Sequence, residues 1–177
     1  MKRDYLLLAL LLVGNITFAQ SPIERALNTI NRSSAEATIN FLASDELQGR
    51  EAGFHGSRVT SEYIVSLLQW MGVSPLADSY FQPFDAYRKE RQKKGRLEVH
   101  PDSVAKLKRE VHQKLSMRNV LAMIPGKNTK EYVIVGAHFD HLGIDPALDG
   151  DQIYNGADDN ASGVSAVLPI SRAFLGR

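Results

Sequence analysis

The chain has 177 residues, 44% of them hydrophobic, with 21 Lys and Arg against 20 Asp and Glu, a formal charge of +1 and no cysteine. The near balance of charge leaves no electrostatic footprint for nucleic acid or an anionic membrane surface. The lack of cysteine excludes a disulfide framework, so an exported chain of this composition relies on its core or on metal. The length suits about one domain with a real core.

Residues 1–19 read as a secretory signal. Lys2 and Arg3 supply the positive start, Tyr5 to Val13 a short apolar run, and Thr17-Phe18-Ala19 the small residues a signal peptidase reads, with cleavage before Gln20. The run is too short and lacks the charged stop of a retained anchor, so the expectation is an exported protein, periplasmic or extracellular, with no stable membrane span once the signal is removed.

Residues 20–32 read as a polar lead-in with one helical turn around Ile23 to Leu27. Ser33-Ser34-Ala35-Glu36 fits a capping box that opens a helix bearing Ile39, Leu42 and Ala43, closed by Ser44-Asp45. Residues 47–53 read as a loop with glycines for unusual backbone angles. Gly56 to Met71 is the clearest helix: Val59, Tyr63, Ile64, Leu67, Leu68 and Met71 recur at helical spacing, Trp70 lies at the edge of the stripe, and Gly72 is placed for a left-handed cap. These apolar side chains read as core and not as a cofactor box.

Residues 88–114 read as a charged insertion or surface segment. A helix is expected from Ser103 to Leu115 through Val104, Leu107, Val111 and Leu115. The run Arg88-Lys89-Glu90-Arg91-Gln92-Lys93-Lys94 reads as a solvated face, because an acid is mixed in and aromatic interleaving is missing. Asn119 to Ile124, stopped by Pro125-Gly126, and Tyr132 to Ala137, stopped by His138, read as buried strands. Residues 142–157 form a long loop. A helix follows from Gly163 with Val164, Val167 and Leu168 apolar, and a kink is expected at its interior Pro169. The order of elements points to an α/β sheet with helices on its faces.

His138 stands just after an apolar strand, where open α/β sheets place their sites. A neutral imidazole there can bind zinc through one nitrogen. Asp140, two residues on, returns to the same side and can accept the other ring N–H, fixing the tautomer. Asp159 precedes a helix after Gly156-Ala157, where its carboxylate can bridge two ions or, more plainly, Asp158 or Asp159 can cap the helix. Asp145, Asp149 and Asp151 match no calcium-loop spacing and read as a solvated loop. Nothing points to Asp45, Glu46 or Glu51.

Val135-Gly136-Ala137-His138-Phe139-Asp140-His141-Leu142-Gly143 and Gly156-Ala157-Asp158-Asp159-Asn160-Ala161-Ser162-Gly163 resemble the two metal motifs of the co-catalytic zinc peptidases (the bacterial aminopeptidase and glutamate carboxypeptidase family, metallopeptidase family twenty-eight). The segments 40–50, 79–84 and 119–126 resemble that family's entry segment and early strands. The resemblance implies a three-layer zinc-peptidase fold, present in part, with a central mixed sheet, helices on both faces and its C-terminal half absent. It also implies a peptide substrate and two zinc ions in the complete site. Carried over by position, His138 ligates one zinc, Asp140 orients His138, Asp159 bridges both ions, the Asp159-Asn160 bond is cis, and His141 has no role beyond the loop. The family's general base and later ligands follow that helix, and no Asp, Glu or His follows Asp159 here. The expectation is therefore an aminopeptidase-type hydrolase whose general base is absent from this chain and whose site is at most partial. The alternatives are a non-catalytic binding protein of the same fold or an inactive fragment.

Overall fold

A computed structural model describes residues 20–89 and 96–176. The signal expected at 1–19 and residues 90–94 of the basic run lie outside the described residues. Helix α1 (Pro22–Leu27) opens on a capping box, the Ser21 hydroxyl accepting from the Glu24 amide while the Glu24 carboxylate accepts from the Ser21 amide. Helix α2 (Arg32–Leu42) starts earlier than the Ser33 box implies. Asn31 is its cap, the side-chain oxygen accepting from the Ser34 amide at 2.9 Å. With the amide satisfied from there, Glu36 turns instead to Arg32 one turn back, at 2.6 Å.

Asp45–Arg50 is a tight helical turn whose last three residues are left-handed, Gln48 at φ 51°, Gly49 at 64° and Arg50 at 49°. Gly49 also has no room for a side chain, since a Cβ there would stand 2.3 Å from the Gly143 carbonyl oxygen. Helix α3 (His55–Met71) ends as its sequence implies, on Gly72 at φ 79° with its amide bonded to Gln69 and Leu68. Ile64 and Leu68 on its buried face join Leu42, Leu47, Val73, Ala161, Val164 and Leu168 in the main core. Trp70, at the stripe's edge, is exposed and carries the Arg172 guanidinium 5.1 Å from its ring centroid.

The sheets are small and antiparallel. Strand β1 (Ser74–Pro75) meets β4 (Ala122–Met123), and β2 (Phe81–Lys89) pairs with β3 (His112–Val120) from Phe81↔Val120 to Lys89↔His112. Mixed helices and small sheets are thus present.

Three expectations in this region need correction. The helix expected over 103–115 is two elements, α4 (Pro101–Leu107) and then β3. Leu115 is claimed by cross-strand pairing with the buried Ala86, and Val111 is left exposed. Arg88 is not solvated: it is buried, bonded to Glu51 at 3.0 Å and to Gln113 at 2.9 Å, while Lys89 pairs with Glu110 at 2.7 Å. The strand expected over 119–124 is split between the end of β3 and β4, whose residues are exposed.

Tyr132 to Ala137 joins no ladder, and Val133 and Ile134 are 89% and 93% exposed instead of buried. Among the described residues no strand pairs with this segment, and its last residue, Ala137, packs against the core. Helix α5 (Ser162–Leu175) follows a wide turn, Ala157–Ala161, and runs on through Pro169 to Leu175. Among the described residues no helix is long and apolar enough to cross a membrane.

Candidate metal centre

Two irregular segments meet at the end of the uncovered stretch. The His138 side is held by short backbone contacts to the left-handed turn: the His141 amide donates to the Arg50 carbonyl at 3.0 Å and the Gly143 amide to the Gly49 carbonyl at 2.9 Å. On the other side, Gly156 is left-handed at φ 61°, which admits the wide turn that carries Asp159. A Cβ at Gly156 would lie 2.6 Å from the His141 ring, so glycine is needed for the close approach as well as for the angle. The Asp159-Asn160 bond is cis, as the motif implies. Asn160 Oδ1 then accepts from the Gly163 amide at 2.9 Å at the start of α5. Neither Asp158 nor Asp159 caps that helix through its side chain.

The three residues singled out by the sequence converge. His138 Nε2 lies 3.0 Å from Asp159 Oδ1, and His138 Nδ1 lies 3.1 Å from the Asp140 carbonyl oxygen and 3.5 Å from Asp140 Oδ1. Both ring nitrogens therefore face acceptors. A neutral imidazole has one N–H and donates to only one of them. Two donors about 2.1 Å from one tetrahedral zinc stand about 3.4 Å apart, close to the spacing of Nε2 and Oδ1. A ring nitrogen and a carboxylate oxygen are donor types that suit zinc, and an Nδ1–H donated to Asp140 would leave Nε2 for an ion. Among the described residues no group of three or more His, Cys, Asp or Glu is arranged to hold an ion, so the donor set there is a pair.

Two further residues belong here and were not expected. The His141 ring is nearly buried, with Nδ1 3.4 Å from Asp159 Oδ2 and its edge toward Tyr154, so it is more than a loop residue. Its signal in the sequence is faint: a second histidine three residues after the first, opposite an obligatory glycine. Arg50 is fully buried. Its guanidinium donates to the carbonyls of Phe139 at 2.9 Å, Asn155 at 2.6 Å, Gly156 at 2.8 Å and Leu42. Burial pushes its pKa down, and the nearby Asp140 and Asp159 carboxylates oppose that shift. Backbone carbonyls leave no mark in a sequence, so nothing local announces this side chain.

The other acids stay apart. Asp145 and Asp151 accept from the Ala147 and Ile153 amides in their own loop. Asp45 accepts from Asn155 Nδ2 at 2.7 Å, and Glu51 pairs with Arg88. A groove of about 670 Å³ opens beside His138 and Asp140, lined also by Arg58, Leu68, Met117 and Leu168.

Residues 119–176 match the model of peptidase family M28. The M28 span runs from the end of β3 to the end of α5 and holds His138, Asp140, His141 and Asp159, while Arg50 lies outside it. It bears out the resemblance on the stretch that carries both motifs, and the family matched is one of metallopeptidases, which are hydrolases. No curated protein and no solved structure matches the chain.

Proposed function

We propose that the chain is an exported metallopeptidase component of aminopeptidase type, with His138 and Asp159 as metal ligands and Asp140 orienting His138. The observation that carries this reading is the 3.0 Å approach of His138 Nε2 to Asp159 Oδ1 with Asp140 behind Nδ1. Asp159 turns its two oxygens to two different rings, Oδ1 to His138 and Oδ2 to His141, which suits a carboxylate that bridges two ions. The described elements are read as part of a three-layer α/β fold with the centre at its edge.

Bound zinc supplies positive charge that polarises a peptide carbonyl and acidifies water. The chain's own residues hold and orient. Asp140 keeps the His138 N–H on Nδ1, so that Nε2 presents a lone pair. Asp159 brings negative charge to the same point. The groove beside them, apolar toward Leu68, Met117 and Leu168, offers a place for a peptide side chain.

A second reading, metal binding without hydrolysis by these residues, rests on the small donor set, since among the described residues no group of three or more His, Cys, Asp or Glu is placed to hold an ion. Calorimetric titration of the full chain with zinc tests the shared part. Binding is expected in the wild type, with a loss of about tenfold or more in His138→Ala and in Asp159→Ala. Equal affinity in all three contradicts both readings. Hydrolysis of an aminoacyl-p-nitroanilide by the zinc-loaded chain separates them, since the second reading predicts none.

A further inference from the structure

We infer that Arg50 is a positioning residue of this centre, a side chain that holds the His138 segment and the Asp159 turn at their mutual distance. The inference rests on the metal-binding reading above. Arg50 joins three stretches of chain. Its Nε–H donates to Phe139, the neighbour of His138, and its Nη groups donate to Asn155 and Gly156, just ahead of Asp159, and to Leu42 at the end of α2. Four of the five guanidinium N–H groups are thereby used on carbonyls of four residues. Its own carbonyl accepts from the His141 amide, so one residue grips the His138–His141 stretch through side chain and backbone together.

Core filling alone does not account for this residue. A fully buried guanidinium loses its hydration, and an apolar side chain would fill the space without that cost. Three of the carbonyls it serves lie in irregular chain, where no ladder partner is available, and the fourth, that of Leu42, ends α2. A buried carbonyl needs a donor. The backbone is also held in a left-handed conformation that a side-chain-bearing residue rarely adopts, φ 49°, which is what turns the side chain inward. Phe139 and Gly156 are close in sequence to the proposed ligands, so a fixed guanidinium fork fixes the spacing of Nε2 and Oδ1.

Arg50→Lys isolates the effect, because lysine keeps the charge but has only three N–H groups and no planar fork. Zinc affinity of the full chain is measured by competition with a chromophoric chelator, alongside the melting temperature. Arg50→Lys is expected to bind zinc about tenfold or more weakly than wild type. Leu115→Ala, a core truncation in the β2–β3 pair, is expected to lower the melting temperature while leaving zinc affinity within about twofold. Wild-type affinity in folded Arg50→Lys overturns the inference, as does an equal loss in Leu115→Ala. If Arg50→Lys does not fold, hydrogen exchange at the wild-type Arg50 Nε–H decides: zinc is expected to slow it about tenfold, and unchanged exchange overturns the inference. A wild type that takes up no zinc defeats the metal reading itself, and is thus told apart from a wild type and an Arg50→Lys variant that bind alike.

Discussion

Helix α3 and the stretch Tyr132 to Ala137 are both strongly apolar, yet they end in opposite environments. In α3 the apolar residues fall on one face, and that face finds α2, the left-handed turn and α5, so that Ile64, Val65 and Leu68 are buried. In Tyr132–Ala137 the apolar run joins no ladder among the described residues, and Val133 and Ile134 stand in solvent, while Ala137 at its end packs on the core. Apolar character states a demand for cover, and the arrangement of neighbours decides whether it is met. The His138 segment continues from that stretch, and is placed by hydrogen bonds to the turn at residues 49–50 together with the packing of Ala137 and Phe139 on the core.

The contrast can be broken at either end. The largest effect is expected at Leu42, which is fully buried where α2, α3 and α5 meet. Leu42→Ala should cost about 2–5 kcal/mol in urea unfolding, and a loss under about 1 kcal/mol would mean that this core is not the seat of stability.

A smaller effect is expected from the exposed Asp85–Lys114 pair at 2.8 Å on the β2–β3 hairpin. The hydrogen bond from Lys114 lowers the Asp85 pKa, and Asp85 raises that of Lys114. A lowered carboxyl pKa gives stability that is present above the unfolded value of about 3.9 and is lost as pH falls through the folded value. The raised lysine gives stability present below about 10.4 and lost as pH rises through its folded value. Asp85→Asn should therefore melt slightly below wild type at pH 7 and converge with it in acid. A constant gap down to pH 2 would show that the pair does not act through this charge.

The smallest effect is expected in the uncovered stretch. Ile134→Ala should change stability by less than about 0.5 kcal/mol, since its side chain is already in water. A cost near that of Leu42→Ala would show that the stretch is covered in solution and erase the contrast.

The sequence carried the parts of this architecture that depend on local chemistry. Helix α3 and its Gly72 cap follow from periodicity and from glycine's tolerance of positive φ. The approach of Asp140 to His138 follows from their spacing, and that of Asp159 is implied by the resemblance of its motif. What escaped depends on partners distant in the chain. Val111 and Leu115 satisfy a helical pattern until β2 pairs with their segment. Asn31 outcompeted Ser33 for a cap that either residue type can make. Arg50 is about ninety residues from Phe139 and a hundred from Gly156, and in sequence it is one residue of a loop until those carbonyls surround it. His141 reads as a loop residue until Asp159 comes to its ring.

The central claim is that His138 and Asp159 share a metal ion, and zinc K-edge X-ray absorption on the zinc-loaded full chain tests it most directly. The account predicts an imidazole scattering signature with oxygen neighbours at about 2.0–2.2 Å, lost in His138→Ala and altered in Asp159→Ala. A zinc spectrum that is the same in wild type and both variants would contradict it.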